Sequence, residues 1–221
     1  CDPAPTFLPL KFYCMSFGIG IPTLNRYDIL EKNLRKYKND FPNTDIHIID
    51  NGLQGIPSSE RVHVTSCKSN IGVAASWNRL CKKIFEKHDY ALIVNDDVYL
   101  GYGEDVVEDV ITREYGIAVS VVSWSVFLIH RKMYEYIGEF DEMFYPAYYE
   151  DSDYLYRMKL YAQMPAIVKD LTPKEVIISG TYEKNKELVN NAMAANRERY
   201  INKWGGLPLM EQFINPYDKQ F

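Results

Sequence analysis

Tyr90-Ala91-Leu92-Ile93-Val94 runs directly into Asn95-Asp96-Asp97. The apolar run predicts a strand, and a strand that ends in adjacent carboxylates sets hard oxygen ligands at the rim of a sheet. There a divalent cation can bridge to the phosphates of a nucleotide. Taken alone, adjacent acids after a strand fit a solvated turn or a helix cap equally well. Two further segments favour a site: Asn70-Ile71-Gly72-Val73-Ala74-Ala75-Ser76-Trp77-Asn78 upstream and Tyr149-Glu150-Asp151-Ser152-Asp153 downstream.

Outward from this run, Phe17 to Val98 alternates strand and helix, the pattern of a mostly parallel sheet covered by helices. Phe17–Ile21 reads as a strand closed by Pro22, Ile29–Tyr37 as a helix, Ile46–Ile49 as the second strand and Val62–Val64 as the third. Val73–Phe85 reads as a helix burying Val73, Trp77, Leu80, Cys81 and Ile84. Polar clusters follow three strands, at Thr23-Asn25-Arg26, Asp50-Asn51 and Asn95-Asp96-Asp97, and parallel strands should bring them to one crevice. After Gly101, helices are expected at 104–113, 132–137, 150–161 and 186–204, and strands at 117–122 and 126–130. The last helix should bury Val189, Met193, Tyr200, Ile201 and Trp204 and end at Gly205-Gly206. The fold class expected is therefore α/β: a mixed, mainly parallel Rossmann-like sheet flanked by helices, in a single domain.

A chain of 221 residues can bury a full core, and its net charge of -5 lacks the basic stripe that a nucleic-acid backbone requires, so no nucleic acid partner is expected. Cys1, Cys14, Cys67 and Cys81 form no CxxC pair and no Asn-x-Ser/Thr sequon occurs, which points to a cytoplasmic protein. The longest apolar stretch, Ile117 to Ile129, is broken by serines and falls short of the roughly 20 residues that span a bilayer. No transmembrane segment is expected. Residues 1–14, with three prolines, read as an N-terminal arm.

In order along the chain stand Pro22-Thr23-Leu24-Asn25-Arg26, Asp50-Asn51-Gly52, Asn70-x-Gly72 with Asn78, and Asn95-Asp96-Asp97. Gly138-x-Phe140-Asp141-Glu142 and Glu150-Asp151-x-Asp153 with Arg157 follow. This series resembles the GT-A glycosyltransferases of the family-2 type over Gly18 to Trp204, including glycosyltransferase domains encoded by chlorella viruses. The resemblance implies a metal-dependent, inverting transfer from a nucleoside-diphosphate sugar, favoured as a UDP-sugar, to a glycan acceptor. Residues 15–101 would form the nucleotide-sugar half, and 102–221 the half that binds the acceptor and carries the base.

On this resemblance Pro22, Thr23, Asn25, Arg26 and Asp50 hold the nucleoside, Asp50 being suited to accept from a uracil imide. Asn70, Gly72 and Asn78 line the diphosphate and sugar. Asn95 replaces the first acid of the Asp-x-Asp motif, which leaves Asp97 as the ligand of a Mn²⁺ or Mg²⁺ ion with Asp96 and Asn95 beside it. Asp151 is the expected catalytic base and Asp153 the second choice; both also fit an ordinary acidic first turn of a helix. Many relatives carry a histidine within the segment corresponding to 176–181, and this chain has none, so Thr181 or water would take its place. Two other readings are a sugar nucleotidyltransferase, which would need a glycine-rich, lysine-containing loop where Pro22–Arg26 stands, and a non-catalytic sugar-binding module.

Overall fold

The computed structural model describes residues 16–162, 164–177 and 186–219; the expected 1–14 arm, the Val189 side chain and Thr181 lie outside the described residues. A seven-stranded sheet has the order β3-β2-β1-β4-β7-β6-β8. Its strands are β1 (Phe17–Thr23), β2 (Ile46–Asp50), β3 (Val62–Ser66), β4 (Tyr90–Val94), β6 (Ile117–Ser120), β7 (Val126–His130) and β8 (Ala166–Val168). A two-stranded ribbon joins β5 (Val98–Tyr99) to β9 (Glu175–Val176). Within the seven-stranded sheet, among the described residues, only β7 opposes its neighbours, pairing antiparallel with β4 and β6. The expected mixed, mainly parallel α/β architecture is what forms.

All five residues of β4 are buried, because helices cover both faces of the sheet. On one face lie α1 (Tyr27–Asp40) and α3 (Glu104–Thr112), which pack Leu30, Leu34, Tyr37, Val107 and Val110 against Ile19, Ile21 and Leu92. On the other lie α2 (Val73–Ile84), α4 (Arg131–Ile137) and α5 (Glu150–Tyr161), which bring Trp77, Leu80, Ile84, Tyr134, Tyr154 and Met158 onto Ile93, Phe127 and Ile129. The α2 helix sits so close to β1 that a Cβ at Gly20 would fall 2.7 Å from Ile93 Cδ1 and 3.1 Å from Leu80 Cβ. No helix among the described residues is long and apolar enough to cross a membrane.

Three expectations need correction. Pro22 does not close β1, which runs to Thr23. The β1–β4 ladder ends at Gly20, so Pro22 pairs only with Ile49 on β2 and its missing N–H is tolerated as on an edge strand. β6 stops at Ser120 instead of Val122, because the Ser120 hydroxyl accepts the Val122 N–H at 3.1 Å and turns the chain. The buried face of α6 (Lys186–Trp204) is Ala192, Asn196, Tyr200, Lys203 and Trp204, while Met193 faces solvent.

Candidate functional site

Parallel pairing places the carboxyl ends of β1, β2 and β4 side by side, with Thr23 in register with Asp50. After β4 the chain makes a tight turn, Val98 N–H donating to Asn95 C=O at 3.2 Å, while Asn95 N–H donates to Ser125 C=O at 2.9 Å. The buried Asn33 of α1 pins this turn, its amide donating to the Asp96 and Val98 carbonyls. Asp96 and Asp97 are thereby fixed at the wall of a cleft of about 580 Å³, within the range of small-molecule pockets.

The opposite wall comes from residues more than fifty positions further along. Tyr148 and Tyr149 both adopt left-handed backbone, φ 75° and 74°, before α5 begins at Glu150. Two successive non-glycine residues in that region store strain that surrounding contacts must hold. Asn196 of α6 supplies them, donating to the Ala147 and Tyr148 carbonyls at 2.8 and 3.2 Å, and Tyr149 packs against Tyr200. The result turns Glu150 and Asp151 into the cleft that Asp96 and Asp97 line. Gly72, at φ 84°, closes the floor: its neighbour Val73 donates to Pro146 C=O, and a Cβ on Gly72 would stand 3.0 Å from both that oxygen and the Tyr145 ring.

The cleft is unusually costly for negative charge. Burial, followed by the Asp97 charge, pushes the Asp96 carboxyl up to about 6, against the pull of the Thr23 hydroxyl and Arg26. Burial likewise raises Asp97 and Asp151. Arg26 is buried beside the first pair, and among the described residues neither its Nη1 nor Oε2 of Glu150 has a hydrogen-bond partner. Adjacent, desolvated oxygen donors without a full counter-charge are the donor set that suits Mg²⁺ or Mn²⁺. Those residues therefore fit a divalent cation.

Glu150 has a consequence for pH. Burial and the neighbouring Asp151 charge push its carboxyl up from 4.5 to about 8. Between those values the folded chain keeps a proton that the unfolded chain has released, so this group lowers stability as the pH rises through that window. Glu150→Gln is expected to flatten the slope, adding roughly 1–3 kcal/mol near pH 8 and little near pH 5, as read by urea denaturation at the two pH values.

Of the residues expected at the site, Pro22, Thr23, Asn70, Gly72, Asn95, Asp96, Asp97 and Asp151 line this one cleft. Others do not. Asp50 is fully buried and its oxygens already accept from Gly52 N–H, Gln54 N–H and the Gln54 amide at 2.8–3.0 Å, so it shapes its own loop. Asn78 is saturated by four hydrogen bonds to Phe140, Glu142 and Tyr134, and ties α2 to the segment after α4. Asn25, at φ 55°, faces solvent against Gly52. Arg26 lies behind the acids and acts on them through its charge.

Asp153 is withdrawn as a base. It is 0 % exposed, and its carboxylate accepts from Trp204 Nε1 at 2.8 Å, Lys203 Nζ at 2.5 Å and Arg157 Nε at 2.9 Å. Arg157 also donates to the Ile137 and Glu139 carbonyls, so it braces α5 against the end of α4. Asp153→Ala would leave Lys203 and Arg157 short of their buried partner. It is expected to cost about 3–5 kcal/mol of folding stability, measured by chemical denaturation.

The sequence reading missed Ser123-Trp124-Ser125, which lines the cleft between β6 and β7, and Pro146 and Ala147, while Asn51 lines it as the convergence of strand ends implies. Trp77 belongs both to the core beneath α2 and to the cleft lining. Of the tyrosines clustered near Asp151, Tyr148 lines the cleft, whereas Tyr154 and Tyr156 are buried and Tyr149 leans on α6.

No protein-family model matches the chain, and no curated protein matches it by sequence. Solved structures do. A mannosyltransferase, PcManGT from Pyrobaculum calidifontis, solved in complex with GDP-Man and Mn²⁺, aligns over 90% of this chain and 67% of its own length with a TM-score of 0.65 and 12% identity. S. aureus TarS aligns over 80% of this chain and 39% of its own length, TM-score 0.55, at 13% identity. The chain shares its fold with these two structures.

Proposed function

We infer that this protein transfers a sugar from a nucleoside-diphosphate donor to an acceptor hydroxyl in a metal-dependent, inverting reaction. The observation that carries the reading is the meeting of Asp96-Asp97 and Glu150-Asp151 in one cleft, on a fold shared with a mannosyltransferase that was solved with GDP-Man and Mn²⁺. Asp97, with Asp96 and the Asn95 amide beside it, would hold Mn²⁺ or Mg²⁺, which when bound offsets the negative charge gathering on the departing diphosphate.

The remaining chemistry falls to the chain itself. Pro22, Thr23 and Asn51 would face the nucleoside, and Asn70 and Gly72 the diphosphate side, in the half spanning 15–101. In the half spanning 102–221, Asp151 would take the acceptor's hydroxyl proton. As that O–H bond breaks, the oxygen bonds to the anomeric carbon, whose bond to the diphosphate oxygen breaks with its electron pair leaving on that oxygen. A single base and direct attack give inversion. Burial raises the proton affinity of Asp151, which makes it a stronger base than an exposed aspartate. Trp124 and Tyr148 offer aromatic faces for a sugar ring.

A UDP-sugar is the donor favoured by the motif series. Because Asp50 is spent on its own loop, the base would be read by other parts of the lining. The setting that fits such an enzyme is the cytoplasm, the host's for a virally encoded chain, and its acceptor a glycan. Incubation with UDP- and GDP-sugars, Mn²⁺ and a set of glycan acceptors tests the reading. Nucleoside diphosphate release with a product of inverted anomeric configuration is expected by NMR; retained configuration would overturn the single-base mechanism, and no release with any donor would favour a sugar-binding module.

A further inference from the structure

At the edge of the sheet opposite the cleft, where β1, β2 and β4 begin, three of the chain's four histidines gather around one carboxylate. Asp45 and His47 stand two residues apart at the start of β2, so their side chains share a face. His47 is in parallel register with His63 on β3, and the two rings stack with centroids 4.9 Å apart. His63 Nε2 lies 3.4 Å from one Asp45 oxygen. From the turn between α2 and β4, His88 Nε2 lies 4.0 Å from the other.

Hydrogen bonding does not account for this arrangement. The Nε2 atoms of His63 and His88 are both shut off from solvent, and neither has a hydrogen-bond partner among the described residues. His88 is fixed in that orientation by its other ring nitrogen, 3.1 Å from the Ser16 hydroxyl. Buried polar atoms left without partners are uncommon and call for an explanation, an absent ion being one. Here two such atoms face the same carboxylate.

We propose that Asp45, His47 and His63 form a transition-metal site, separate from the cleft, whose preferred ion is Zn²⁺ and whose carboxylate is oriented by His88. One ligand atom from each of the three residues already falls within 4.8 Å of the others. Zinc–nitrogen bonds of about 2.0–2.1 Å require these atoms to close up further. The half-exposed His63 and the edge position of Asp45 leave room for that movement. Two imidazoles and one carboxylate suit zinc, whereas the oxygen-only donors around Asp97 suit Mg²⁺ or Mn²⁺, so the two sites select different ions. Lys87, whose Nζ is 3.8 Å from Asp45, is the competing cation, and its exposed side chain can swing away. Zinc bound here would strap the starts of β2 and β3 together, with the α2–β4 turn held to them through His88.

The test uses the full chain, stripped with EDTA and held in excess Mg²⁺ to fill the cleft, then titrated with ZnCl₂ by calorimetry. One equivalent of zinc is expected to bind, raising the melting temperature, and Asp97→Ala protein should behave identically. Cobalt substituted for zinc should show the visible absorption of a tetrahedral site. His63→Ala, a change at a half-exposed position, should weaken zinc binding by at least about tenfold, as should His47→Gln, with circular dichroism confirming that both variants fold. Absence of zinc binding by the folded wild-type chain, or binding that survives both substitutions, would overturn the proposal.

Discussion

Asparagine at position 151 is expected to cut sugar transfer by about 10²–10⁴-fold, the usual contribution of a positioned general base, while nucleotide-sugar binding stays unchanged. Asparagine keeps the shape of the side chain and can still accept the Ser152 N–H, which the carboxylate accepts at 2.7 Å. It cannot take a proton. One neighbour complicates the result in a useful way: the Asp151 charge helps to hold Glu150 protonated, so removing it makes Glu150 easier to ionise. Residual transfer carried by Glu150 would disappear in the Asp151→Asn, Glu150→Gln double variant. Turnover at saturating donor, compared with the donor's dissociation constant from calorimetry, separates the two effects. Full turnover in Asp151→Asn would remove that residue as the base.

Asp97→Ala is expected to weaken metal-dependent donor binding by about 100-fold or more, since even residues that only support metal ligands are worth 10–100-fold. The variant should fold at least as well as the parent. Burial raises the Asp97 carboxyl above its ordinary range, so at neutral pH its charge is a burden on the empty cleft and its removal relieves that burden. The signature is therefore a melting temperature that is unchanged or higher without ligand, together with loss of the shift produced by donor plus Mn²⁺. Loss of fold would contradict this account of the charge.

Six strands of the sheet were legible because their signal is local, whereas the three-residue β8 was too short to read. Tyr90–Val94 is a run of apolar residues bounded by acids, and α5 begins and ends where the sequence places it, at Glu150 and Tyr161. The meeting of strand ends followed from parallel pairing alone. Roles of individual side chains were harder, because they depend on what returns from far along the chain. Asp153 illustrates both cases. Helical geometry turns residues two apart by roughly 200°, so Asp151 and Asp153 could not both face the cleft, and that was readable. Which of them faced inward was not, because it is decided by Lys203 and Trp204, some fifty residues later. Asn78 and Asp50 carry residue types suited to ligands, yet their partners are backbone and side-chain groups of segments whose paths no short motif encodes. Ser123-Trp124-Ser125 lay hidden inside a stretch that reads as interrupted strand.

Thermal melting against a panel of UDP- and GDP-sugars, each with and without Mn²⁺, tests most directly whether one cleft holds both the donor and its metal. A donor that raises the melting temperature only when Mn²⁺ is present, in the wild-type and Asp151→Asn chains but not in Asp97→Ala, is the predicted result. Stabilisation that ignores Mn²⁺, or that persists in Asp97→Ala, would contradict it.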